Sequence, residues 1–143
     1  MSFTEGGTTR WMSPELLDPD QFGISDSRPT KQSDCYALGM VVYEVRADTI
    51  IPTSAEVRLV YHQVLYGKAP YWEMTNEAAV ITAIMRGDRP PKPEAMENLG
   101  LTDQLWELVE QCWSADTSAR PDVRTVLSHL NHAAWLWERR QMV

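Results

Sequence analysis

From Asp34 to Val45 the chain is apolar on nearly every side: Cys35, Tyr36, Ala37, Leu38, Met40, Val41, Val42, Tyr43 and Val45 are interrupted only by Gly39 and Glu44. The run is long for a strand and too uniformly apolar for a surface helix. It predicts a buried central helix over 34–45, capped by Ser33 or Asp34, around which everything else must pack. The β-branched Val41, Val42 and Val45 leave a strand as the alternative. Cover for such a core must come from amphipathic helices, and the downstream sequence supplies them. Thr75 and Asn76 open a helix over 75–86 with Val80, Ile81, Ile84 and Met85 on one face and Gly87 as its stop. Thr102 caps a helix over 102–113 whose inner stripe is Leu105, Leu108, Val109 and Cys112, flanked by Trp106 and Trp113. Pro121 opens a last helix over 121–141, with Val123, Val126, Leu127, Leu130, Ala134 and Trp137 at three-and-four spacing. Between them, Arg89-Pro90-Pro91-Lys92-Pro93 must be extended, because prolines fix φ and remove donors. The expected fold is mainly α.

Near the start, Ser13-Pro14-Glu15 is a helix-start signal: a capping hydroxyl, a residue needing no donor, and an acid at the positive helix end. Asp18-Pro19-Asp20 ends this helix early, and residues 18–33 read as a polar loop.

Function classes are narrowed by charge. The 143 residues carry 13 Lys+Arg against 20 Asp+Glu, a net charge of −7, which argues against a nucleic-acid binder. No run of eighteen apolar residues is present, so no membrane span is expected. The first residues have neither the basic nor the apolar region of a signal peptide, so a cytoplasmic location, or a nuclear one, is expected. Cys35 and Cys112 are too few for a disulfide framework and read as small buried hydrophobes. His129 and His132 lie three apart on a helix but without carboxylates or thiolates at ligand spacing, and read as a solvated or stacked pair. No Gly-x-Ser-x-Gly elbow or Gly-Lys-Ser/Thr phosphate loop occurs. The residues alone describe a helical domain without an evident active site.

Four motifs in order add a resemblance. Gly7-Thr8-Thr9-Arg10-Trp11-Met12-Ser13-Pro14-Glu15 resembles the end of a protein-kinase activation segment, in wording most similar to the tyrosine-kinase-like branch, whose members mostly phosphorylate serine and threonine. Asp34-Cys35-Tyr36-Ala37-Leu38-Gly39 is similar to the start of the buried helix of the kinase C-lobe. Gly67-Lys68-Ala69-Pro70-Tyr71 resembles the loop before the next helix, and Cys112-Trp113 through Asp116 to Arg120-Pro121 resembles the family's closing signature. The resemblance implies a C-terminal part of a kinase C-lobe over 1–143, with 1–17 as the end of the activation segment. It implies that Thr8, Arg10, Trp11 and Met12 form a substrate-docking loop. Asp34 would hold the catalytic loop, and Glu15 and Arg120 would form a buried ion pair. In the family, the parts that hold ATP and magnesium and transfer phosphate precede the Gly-Thr motif, so the resemblance implies no catalytic residue, cofactor or metal for this chain. Two readings follow: a kinase fragment whose intact relatives phosphorylate proteins, and a non-catalytic interaction module. In the second, the helix at 75–86 binds a protein partner, with Trp72, Ile81 and Met85 either as anchors or as core. Apolar surface on 34–45, uncovered without the preceding helices, would favour marginal stability or self-association.

Residues 46–64 carry no kinase pattern, and Val45 and Leu65 would join without them in the family's order. One reading is translated intron sequence: the nineteen residues are a whole number of codons, Val45 begins with the bases of a splice donor, and Gln63 allows an acceptor. The other is a real insertion. Thr53-Ser54-Ala55-Glu56 is a capping pattern, and Val57, Val60, Tyr61 and Val64 share a helical face.

Overall fold

The computed structural model of the chain describes residues 9–44, 69–92 and 102–142. Thr8, Val45, the segment 46–64, Gly67, Lys68, Pro93 and the side chain of Trp137 lie outside the described residues. The described part is mainly α, with helices α1 (Pro14–Leu17), α2 (Lys31–Glu44), α3 (Glu77–Arg86), α4 (Asp103–Cys112) and α5 (Val123–Gln141). Single 3-10 turns sit at Thr9–Trp11, Asp20–Phe22 and Thr117–Ala119. Among the described residues, no helix is long and apolar enough to cross a membrane.

Local chemistry sets the helix ends. The Asn76 side chain accepts from the Ala78 amide and Gly87 closes α3 in the left-handed region at φ 92°. Thr102 accepts from the Leu105 amide to start α4, and Asp122 accepts from the Thr125 amide to start α5, one residue after Pro121. The central element is a helix, and it begins at Lys31, three residues before the expected start. The Ser33 amide donates to the Thr30 hydroxyl at 3.1 Å, and the Thr30 amide donates to the Ser33 hydroxyl at 2.7 Å. This is a reciprocal capping box with serine in the place usually held by Glu or Gln. Ser13 precedes α1 as expected, but its side chain makes no cap hydrogen bond.

The core lies between α2 and α4. Cys35, Tyr36 and Met40 of α2 are buried against Leu105, Leu108, Val109 and Cys112 of α4, with Val80 and Ile84 of α3 and Val126 of α5 completing the cluster. Burial of each such large side chain contributes roughly 1.5–3 kcal/mol. The helices meet closely at Gly39, where an added Cβ would lie 2.7 Å from both Cys112 Cβ and Trp113 Nε1. Trp106 and Trp113, expected to flank α4, are themselves buried and pack edge to face at 5.5 Å, with Tyr43 5.9 Å from Trp113.

Three faces differ from the periodicity reading. On α2, Val41 is 43% exposed, so the helix is central without being covered all round. On α3 the inner face is Val80, Ala83 and Ile84, whereas Ile81 is exposed and Met85 half-buried. On α5, Val126 is buried and Leu130 packs against the core, but Val123 and Leu127 are exposed, as is Ala134. Periodicity marks residues that share a face; it does not say that a neighbour covers the whole of that face.

Candidate functional site

The segment 9–17 lies against the helices and is held there by two arginines. Arg10 donates from Nη1 to the carbonyls of Pro70 (2.9 Å) and Tyr71 (2.6 Å), and from Nη2 to the carbonyl of Met74 (2.6 Å). It thereby clamps the turn that leads into α3, where Tyr71 sits at φ 56°, a left-handed conformation unusual for a side chain of that size. The Tyr71 hydroxyl donates to the Asp88 carbonyl at 2.9 Å and ties the same turn to the far end of α3. Next in sequence, Trp11 donates from its indole to Glu44 at the end of α2 (3.0 Å), and its ring packs on the core. Thr9 donates to the Glu77 carboxylate in the first turn of α3. Met12 is half-buried beside them.

The second anchor is buried. Arg120 Nη1 and Nη2 donate to the two carboxylate oxygens of Glu15 at 2.6 and 2.9 Å, a bidentate pair with side chains 0% and 5% exposed. Two further donors are also used: Nη1 reaches the Gln32 carbonyl at 3.0 Å, and Nε reaches the Ser114 carbonyl at 2.9 Å. The guanidinium also lies 5.2 Å from the centroid of the Tyr36 ring. One side chain therefore joins α1, the start of α2 and the turn after α4. Burial works to raise the Glu15 carboxyl, but the hydrogen bonds and charge of Arg120 outweigh it and hold the group below its ordinary range.

Of the residues singled out in the sequence, Arg10, Trp11, Met12, Glu15 and Arg120 thus fall on one continuous segment and its anchors. The Arg10 guanidinium and Trp11 indole are turned to structural hydrogen bonds within the chain. Asp34 is exposed in the first turn of α2, and its carboxylate has no hydrogen-bond or ion-pair partner among the described residues. His129 contacts the Thr125 carbonyl at 2.8 Å, and His132 stacks on Trp135 at 5.9 Å. Sequence reasoning missed Arg89, which donates to the carbonyls of Trp113, Ile84 and Asp88 and lies 5.3 Å from the Tyr36 ring centroid. Its position in a proline-rich stretch suggests only a linker, and no neighbouring residue in the sequence marks it as the partner of a buried ring. Glu44 was also missed, although a lone acid in an apolar run is one that needs a partner.

Among the described residues no three His, Cys, Asp or Glu side chains gather where they could hold a metal, and the sequence offers no phosphate-cradling glycine loop with its lysine.

Comparison with known proteins bears on what this arrangement belongs to. The family model described as protein tyrosine and serine/threonine kinase matches residues 3–130. Ephrin type-A receptor 5 of Gallus gallus is 31% identical over 130 residues, covering 90% of this chain and 10% of the receptor. Ephrin type-A receptor 6 of Mus musculus is 29% identical over the same length, again 10% of the receptor. Serine/threonine-protein kinase STY46 of Arabidopsis thaliana is 27% identical over 130 residues, covering 91% of this chain and 17% of that kinase. The chain spans about a tenth to a sixth of the length of these curated relatives. The match runs through both anchored ends, from the Trp-Met-Ser-Pro-Glu run to the Arg-Pro that closes on it, and the chain belongs to the protein tyrosine and serine/threonine kinase family.

Proposed function

We propose that this chain is the substrate-docking part of the C-lobe of a protein kinase that phosphorylates serine or threonine, with tyrosine as the alternative, in proteins, and that its 143 residues by themselves transfer no phosphate. The observation that carries the reading is the buried Glu15–Arg120 pair, which fixes the Trp-Met-Ser-Pro-Glu segment rigidly on the helical lobe. A docking segment must present the substrate at a constant position, and a bidentate, desolvated pair supplies that constancy. Thr8, Arg10, Trp11 and Met12 form the docking loop in this reading, with Arg10 and Trp11 acting through the scaffold they hold. Asp34, exposed at the start of α2, is the residue that receives the catalytic loop. Preference for serine and threonine is supported by the wording of the Arg10–Glu15 run and by the likeness to STY46. A cytoplasmic location fits a kinase acting on intracellular proteins.

Inactivity of these residues alone is supported by the sequence. It lacks a glycine-rich loop, a strand lysine, a catalytic-loop Asp and Asn, and Asp-Phe-Gly, each of which phosphoryl transfer in this family uses. The purified chain, incubated with γ-labelled ATP, magnesium and a serine-rich acceptor protein, is expected to give no transfer above a chain-free control. Label on the acceptor would overturn the reading. Genomic sequence upstream that encodes a catalytic loop and Asp-Phe-Gly in frame would support the fragment origin.

One observation favours the second reading, a non-catalytic interaction module. Trp72 and Ile81, which would be core in a purely structural role, are 44% and 37% exposed at the turn before α3 and on α3 itself. Large apolar side chains of this kind are the anchors of protein interfaces.

A further inference from the structure

We propose that Cys35 and Cys112 form an oxidative modification site, at which a hydroperoxide converts the two thiols into a disulfide tying α2 to α4. The residues are seventy-seven positions apart, yet their sulfurs lie 3.7 Å from each other in the core, each residue 1% exposed. A disulfide has its sulfurs about 2.05 Å apart, so the bond forms when the two sulfurs approach by a further ~1.7 Å. Gly39, one turn after Cys35, brings the α2 backbone so close to Cys112 that a Cβ there would stand 2.7 Å from Cys112 Cβ. The chain has only these two cysteines, so neither thiol has another disulfide partner within the molecule, although the Cys35 thiol also donates to the Pro121 carbonyl at 3.0 Å.

The reaction balances with the peroxide as the named oxidant. One cysteine, as thiolate, attacks a peroxide oxygen; the O–O bond breaks, and a sulfenic acid and water result. The second thiol then attacks the sulfenic sulfur, the S–O bond breaks, and the hydroxide leaves as water with the thiol proton. Two thiols lose two electrons and two protons, and hydrogen peroxide becomes two waters. Burial pushes the Cys112 thiol up to about 12, and burial likewise raises Cys35, where contact with Cys112 and the charge of Arg120 offset part of the rise and Asp122 adds to it. The reaction is therefore slow at neutral pH and selects a small, uncharged oxidant over bulky disulfide reagents. Once formed, the bridge closes the chain between α2 and α4, including α3 and residues 46–64, into one covalent loop that restricts the unfolded state.

The test treats the folded chain with hydrogen peroxide and maps peptides without reduction. The expected result is a loss of two hydrogens per molecule, a Cys35–Cys112 linked peptide, and a higher melting temperature that reductant reverses. Cys35→Ser is expected to abolish the linked peptide. Oxygen adducts on either cysteine without a link overturn the proposal, as does a bridge between two chains. So do free thiols that persist after the methionines have become sulfoxides. The mapping on the unmodified chain decides the matter even if the serine variant does not fold.

Discussion

Arg120 makes four hydrogen bonds from a buried side chain, and this concentration makes its pairing costly to break. Stranding one member of a buried pair typically costs about 3–5 kcal/mol, so Glu15→Ala is expected to lower stability by that amount in urea titrations. The pair also sets an acid limit. The Glu15 carboxyl is depressed from the ordinary value of 4.5. Its contribution is complete above that value and is lost as pH falls through the lower folded value. The unmodified chain should lose stability over that acid interval, and Glu15→Ala should show a shallower decline there. Gly39 is limiting in the opposite sense. Its missing Cβ is where Cys112 and Trp113 pack, and in Gly39→Ala the clash falls on a Cβ and an indole ring rather than on a flexible side-chain tip. Overpacking of this kind costs about 1–3 kcal/mol, which offsets the gain in helix propensity; a lower urea midpoint with an unchanged slope is the expected outcome.

Among the elements, the turn at 69–74 depends on a residue sixty positions away. Arg10→Ala removes three charged hydrogen bonds to the carbonyls of Pro70, Tyr71 and Met74, which leaves the left-handed Tyr71 without its clamp. A loss of about 2–3 kcal/mol is expected, with amide exchange accelerating in 69–74 and at the start of α3 more than in α4. The start of α3, its stop at Gly87 and the cap at Thr102 were legible in the sequence because each is a local hydrogen-bonding device written within a few residues. The true start of α2 was hidden because Thr30 and Ser33 make a capping box without the usual glutamate. Exposure of Ile81, Val123 and Leu127 was not legible, since periodicity groups residues on a face without naming what lies opposite. At the candidate site, the Glu15–Arg120 pairing was readable only through family resemblance. The Cys35–Cys112 contact was readable by neither route, because nothing local encodes the meeting of residues so far apart.

At the scale of the molecule, residues 46–64 interrupt the order of the kinase motifs. The flanks of that stretch are held by neighbouring residues: Trp11 bonds Glu44 at the end of α2, and Arg10 bonds the carbonyls of Pro70 and Tyr71. Both ends are therefore held by adjacent residues, through contacts that do not involve the stretch itself. With 46–64 removed, Val45 and residues 65–68 remain between Glu44 and Ala69, and at about 3.3–3.6 Å per residue they span well over 15 Å. Loop closure adds little in either direction, because each doubling of loop length costs only about 0.6 kcal/mol. The shortened chain is therefore expected to fold with the same helical circular dichroism and a melting temperature no lower than that of the full chain. If 46–64 is translated intron sequence, as we propose, a spliced transcript should also lack its codons. A shortened chain that fails to fold, or a mature message that retains codons from Arg46 to Val64, would make the segment a structural part of this lobe.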